Sequence, residues 1–366
     1  MLMCGYHQRQ VANFVTRLYR LFFALPCLAV LMGCASPLYY LQAIQGQADI
    51  FAKSRPVEDW LADPATPPEA KRHLVLAQQL REFASRELLL PDNQSYRAYA
   101  DLERPYVLWN VFAVPELMLK AKQWCFVVAG CVPYRGYFVK NNADKFAATL
   151  KQEGYDVYVG GVKAYSTLGW FDDPLLNTFI HRGEAELAGL LFHELAHQKL
   201  YVKGDSSFNE SFATAVEIEG VKRWFQRNGA IEAAETYIEK IQRRDEFATL
   251  VETYRTRLSE IYQSNSSAAE KRAAKAQTFA DLRRDYGSLK TKWGGYAAFD
   301  SWFALDLNNA HLAAIGVYNQ YVTAFQALFR EHGGDFTAFY RAVEELARLP
   351  QADRHAALTI LSTPKS

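Results

Sequence analysis

This sequence has little charge imbalance, little cysteine and little histidine. Among its 366 residues, 41 Lys and Arg meet 40 Asp and Glu for a formal net charge of +1, and there are 5 Cys and 8 His. A chain without a field of one sign cannot hold a polyanion by charge, which argues against nucleic acid as a partner. No internal repeat and no low-complexity tract occurs. The apolar run at 21–32 has 12 residues, too few to cross a bilayer. Apolar content is not lacking. The chain is 50% hydrophobic and 14% aromatic, which excludes disorder. Its length can bury a large core, as one big domain or two modest ones. The 21 Tyr, 23 Phe and 7 Trp suit thick packing or an aromatic-lined cleft.

The N-terminus reads as a targeting segment. Residues 1–20 carry Arg9, Arg17 and Arg20 and no acid, and the run at 21–32 has the length of a signal core. It ends at Leu31-Met32-Gly33-Cys34, which resembles the cleavage box of bacterial lipoproteins, Met32 standing where a small residue is usual. In such a box the small residue admits the peptidase and the Cys34 thiol takes the diacylglycerol. The alternative is a cleaved signal or uncleaved anchor with an incidental Cys34. Ala35 rather than Asp after the Cys resembles outer-membrane sorting. Losing 1–33 removes three Arg, leaving +1 − 3 = −2. Export also suits Cys125 and Cys131, which two apolar strand-like pieces around Ala129-Gly130 would bring together; a disulfide there fits an oxidising compartment.

Hydrophobic periodicity predicts helices over 37–52 and 68–89. Val, Tyr and Phe predict strands over 106–114, 124–129 and 134–139. A short helix over 141–153 should stop at Gly154, before strands at 155–160 and 162–167 split at Gly160-Gly161. From 184 the pattern is almost all helical: 184–202, 207–228, a charged helical hairpin of Ile231–Gln263 and 268–290, then 308–318, 321–331 and 335–346. The hairpin reads as a solvated structural arm. The predicted fold is α+β, mainly α, with a small mixed sheet. The predicted division is 1–33, 34–183 and 184–366.

The chemistry is carried by His193-Glu194-Leu195-Ala196-His197. On a helix, residues four apart share a face. His193 and His197 can therefore fill two positions of a tetrahedral Zn²⁺, with Glu194 beside them as general base for a metal-activated water. Leu187, Leu190, Leu191 and Leu195 recur at helical steps and supply a core face. One further ligand is needed. Glu210 fits, just after a turn at Lys203-Gly204-Asp205, although Ser207 to Glu210 also reads as a capping box. Glu217, seven residues on, is a second candidate, better placed to support a ligand than to be one.

The HELAHQ of 193–198 with the NESFA of 209–213 resembles the gluzincin metallopeptidases, and within them the zinc aminopeptidases of the thermolysin-like clan. Their second Glu ligates zinc, which by resemblance assigns Glu210. The gap from His197 to Glu210 is shorter than in that clan, and its Gly-x-Met-Glu-Asn motif is absent. With Cys34 and the 124–138 segment included, the chain resembles bacterial lipoproteins described as predicted zinc aminopeptidases. The resemblance implies a zincin-like fold, a peptide or protein substrate and one Zn²⁺ per chain. It also implies a lipid anchor on the periplasmic side of the envelope, at the outer membrane.

In that setting Tyr318, Tyr321 and His311 are candidates for the oxyanion donor. The 161–170 segment, with Gly161, Ala164, Tyr165 and Ser166, is the candidate strand edge for an extended substrate. Asp172, Asp173, Glu184 and Glu186 are candidates to meet a substrate amine. The alternatives are an envelope endopeptidase, a non-enzymatic helical lipoprotein whose structural zinc takes Asp205 as a fourth ligand, or a binding module built on the hairpin.

Overall fold

A computed structural model describes residues 37–126, 130–164, 167, 171–315 and 320–362. The expected signal segment, Cys34, Tyr165, Ser166 and Tyr318 lie outside the described residues. In chain order the elements used below are α1 Pro37–Lys53, β1 Ser54–Pro56, α2 Pro68–Arg86, β2 Ala98–Ala100 and β3 Leu108–Pro115. Next come β4 Trp124–Phe126, β5 Gly130–Val132, β6 Arg135–Tyr137, α3 Lys140–Gln152, β7 Tyr155–Val162 and β8 Leu175–Leu176. The helical half is α4 Glu184–Lys199, α5 Ser206–Arg227, α6 Ile231–Gln263, α7 Ala268–Lys292, α8 Asn309–Ala314, α9 Val322–Glu331, α10 Phe336–Arg348 and α11 Gln351–Ser362. The protein is α+β and mainly helical; α11 was not foreseen.

Instead of one small mixed sheet, the described residues form three. β1-β2-β8 is mixed, β6-β3-β7 is antiparallel, and β4-β5 is a hairpin. Most of these strands have two or three residues, too short for a period of two to show. Cys125 lies opposite Cys131 on the β4-β5 hairpin, and the two form a disulfide. The predicted break at Gly160-Gly161 is absent. β7 runs through both glycines, with Gly161 paired to Trp109. A Cβ on Gly161 would stand 2.5 Å from the Tyr106 ring, so the glycine serves close packing rather than a turn. Gly154 does stop α3, at a φ of +85.

The main core is built on α4 and α5. Leu187, Leu191 and Leu195 of α4 and Phe208, Phe212 and Val216 of α5 are buried with Leu74, Leu80 and Phe83 of α2. Residues on both sides of 184 share it, from Ile50 to Leu358. Each such side chain contributes about 1.5–3 kcal/mol by burial. The hairpin is more than a solvated arm. Tyr237 and Ile241 of α6 enter the main core, while Phe247, Val251, Tyr254, Phe279 and Tyr286 form a second core with Trp293 and Phe303. Lys275 of α7 pairs with Asp156 of β7 at 2.6 Å, and Arg272 pairs with Glu116. The hairpin therefore ties α4 and α5 to the β3-β7 sheet.

Candidate metal centre

α4 carries His193, Glu194 and His197, and it stops earlier than its sequence predicts. The helix ends at Lys199, and Leu200 is extended. The cause is a clamp from α5. The buried Asn209 donates from Nδ2 to the Val202 carbonyl at 2.8 Å and accepts from the Val202 amide at 2.8 Å. Gly204, at a φ of +83, then reverses the chain. The expected capping box on Ser207 does not form. α5 starts one residue earlier, and Asp205 caps it by accepting from the Phe208 amide at 3.2 Å. Glu210 is thereby displaced from the capping position and faces α4.

The result is a convergence of three side chains. Nε2 of His193 and Nε2 of His197 lie 3.1 Å apart. Glu210 brings Oε2 to 3.3 Å from His193 and Oε1 to 3.6 Å from His197. A tetrahedral zinc with bonds of about 2.0–2.1 Å holds its ligand atoms about 3.3 Å apart. The donor set and spacing therefore fit one such ion, and among the described residues this is the group of three able to hold a metal. Asp205, the expected fourth ligand of a structural site, is spent elsewhere. It accepts from Arg354 at 2.8 Å and contacts His355 at 2.9 Å. Closed structural zinc sites use four protein ligands, whereas three leave a position for water.

Residues behind the ligands set their charge. His193 Nδ1 donates to Glu217 at 2.8 Å, and Glu217 accepts from Tyr237 Oη at 2.6 Å. Tyr237 reaches that far because position 189 is glycine; a Cβ there would lie 1.9 Å from its hydroxyl. Burial alone would depress the His193 pKa, but hydrogen bonds to Glu210 and Glu217 raise it to about 10. Burial also opposes charge on Glu210 and Glu217, yet their bonds to the histidines hold both carboxyls below the ordinary range. This is a site built to stabilise positive charge, whether imidazolium or metal. Glu194 differs. Burial pushes its carboxyl up, against the pull of His193 and His197, the direction a general base needs.

Among the described residues, two cavities open on this centre. One, of about 680 Å³, is lined by His193, Glu194, Glu217, Tyr237, Arg244 and Phe299 among others. The second, of about 500 Å³, joins His193 and Glu210 to Arg244, Phe247, Phe299 and Trp302. Part of the aromatic excess is therefore a cleft: Phe247 stacks on Phe299 at 4.2 Å and meets Trp302 edge-on at 5.3 Å.

Other predicted residues are placed elsewhere. His311 contacts Asn308 at 2.9 Å through Nδ1, and its ring lies 4.4 Å from Tyr158, in a separate cavity beside β7. Tyr321 is buried, its ring 5.2 Å from His355 and its amide donating to Ser211. Neither lines the two cavities at His193. Gly161 lies within β7, the edge of its sheet, and Ala164 packs on the main core. Of the four acids considered for a substrate amine, Glu186 lines the 680 Å³ cavity, paired with Lys240. Glu184 accepts from Trp224, Asp173 accepts from the Thr167 amide, and Asp172 is exposed. Tyr237, Arg244 and Phe247 of the hairpin, and Phe299 and Trp302 after it, carried no signal in the sequence, since nothing local marks such a residue as a cavity wall.

A family model described as "Putative aminopeptidase" matches residues 38–358. No curated protein and no solved structure matches the chain significantly.

Proposed function

Because the chain belongs to this aminopeptidase family, we propose that it is a zinc-dependent aminopeptidase of zincin-like fold, with His193, His197 and Glu210 as ligands and Glu194 as general base. The observation that carries this reading is the convergence of two imidazole nitrogens and one carboxylate at 3.1, 3.3 and 3.6 Å. A metal bound there supplies a Lewis acid and acidifies its water. Glu194, buried and kept weakly acidic, accepts the proton of the attacking water and returns it to the leaving amine. Glu217 holds His193 Nδ1 as a donor, which leaves Nε2 free to ligate. The substrate peptide takes the cleft lined by Phe247, Phe299 and Trp302.

In the same reading the enzyme is lipid-anchored through Cys34 on the periplasmic side of the envelope, at the outer membrane. The Cys125–Cys131 disulfide supports an oxidising compartment. The test is turnover of free and N-blocked peptides, with and without a chelator. An aminopeptidase cleaves only the free peptide and stops when chelated. Equal cleavage of the blocked peptide would make it an endopeptidase. Chelator-resistant turnover would remove the metal from the mechanism.

A further inference from the structure

α1 has two unlike faces. Its inner face holds Tyr39, Gln42, Gly46 and Ile50. Tyr39 stacks on Phe126 at 5.2 Å, Gln42 accepts from the Phe138 amide at 3.2 Å, and Ile50 is buried. Gly46 meets the Phe138 ring so closely that a Cβ would lie 2.0 Å from it. At 100° per residue the opposite face, an arc of about 140°, holds Leu38, Leu41, Ile44, Gln45, Ala48, Phe51 and Ala52. All seven are exposed, with Leu38 at 75%, Ile44 at 65% and Leu41 at 50%. The charged residues of α1, Asp49 and Lys53, lie outside this arc and are engaged with Arg104 and Glu103. The patch continues beyond the helix: Phe51 meets Phe171, itself 53% exposed, at 5.4 Å.

A helix on a water-facing surface puts charge outside and apolar residues inside. A contiguous exposed apolar patch instead marks a binding surface. The chain itself says what covers this one. Cys34 precedes Leu38 by four residues, which reach at most about 14 Å. A diacylglycerol on Cys34 would hold Leu38 within that distance of the bilayer.

We propose that α1 lies flat in the membrane interface, with Leu38, Leu41, Ile44 and Phe51 at the headgroup–acyl boundary, and so fixes how the enzyme faces the membrane. This rests on the lipid anchor proposed above. Among the described residues no helix is long and apolar enough to cross a membrane, and the inner face of α1 is committed to protein. A body of net charge +1 − 3 = −2 is not drawn to anionic lipid by charge. The tether removes that need, because it raises the local concentration until a weak apolar face suffices.

The test uses the full chain, processed by its host and reconstituted in phosphatidylethanolamine–phosphatidylglycerol vesicles. A fluorophore sensitive to polarity is placed at Leu41→Cys, at Ile44→Cys, or at Thr291→Cys on exposed hairpin surface. The expected result is a blue shift and at least about twofold quenching by acyl-chain quenchers at 41 and 44, with neither at 291. Water-like emission at 41 and 44 in vesicle-bound protein overturns the proposal. Energy transfer between copies without lipid quenching overturns it too, in favour of pairing through α1. A processed Cys34 peptide without lipid mass overturns the anchor and this inference with it, while leaving peptidase activity untouched.

Discussion

The Nδ1 of His193 donates to Glu217 at 2.8 Å, so one helix supplies both the carboxylate proposed as a metal ligand, Glu210, and the carboxylate that orients His193. Seven residues separate the two, close to two helical turns, and both point at α4. Glu217→Gln should therefore weaken zinc about 10- to 100-fold without removing a ligand. Competition with a chromophoric chelator measures this, and unchanged affinity would show that Glu217 only packs.

Glu194 lines the larger cavity but is not one of the three converging groups. Glu194→Gln should keep one zinc per chain while turnover falls by about 10²–10⁴. Metal analysis and kinetics on the same preparation decide it. Full turnover in a clean sample would sink the mechanism.

Asn209 makes two bonds to one backbone residue, and its loss leaves the Val202 amide unmet and the Val202 carbonyl with the Asp205 amide alone. Asn209→Ala should cost about 1–3 kcal/mol. It should also lower zinc affinity, because the turn that aims Glu210 loosens. Urea unfolding of the metal-free protein gives the first effect and metal titration the second. A variant that is destabilised but binds zinc normally would confine Asn209 to folding.

Asp205 is buried against Arg354 and His355. Burial works against its charge, but His355, the Phe208 amide and Arg354 hold its carboxyl below the ordinary range. A depressed carboxyl stabilises the fold fully above its unfolded pKa of about 4 and loses that contribution as the pH falls through the folded value. Asp205→Asn should flatten this part of the acid unfolding curve. Asp205→Ala should cost about 3–5 kcal/mol by stranding a buried guanidinium. Thermal unfolding across pH reads both. An unchanged acid limb for Asp205→Asn would rule out this source of acid sensitivity.

Much of the site was legible because it is local. The separation of His193 and His197 places both rings on one face of any helix, and Leu187, Leu191 and Leu195 show which face is buried. Glu210 was less certain, since Ser207-Phe208-Asn209-Glu210 satisfies a capping rule equally well. Asp205 takes the cap instead, with its carboxylate held beside the helix start by Arg354 and His355, 149 and 150 residues away.

The helical character, the histidine pair, the Glu194 beside it and the hairpin are written along the chain, because 3.6-residue periodicity, caps and glycine stops act within a few residues. The tertiary structure alone decided the rest. It split the expected sheet into three, ran β7 through Gly160-Gly161, and swung Phe247, Phe299 and Trp302 against the candidate site at His193 and Glu210 while placing His311 in another cavity. It also set Tyr237 behind Glu217 and left the apolar arc of α1 uncovered. Those outcomes follow from how distant segments share buried surface, and no spacing along the chain encodes which of two apolar faces finds a partner.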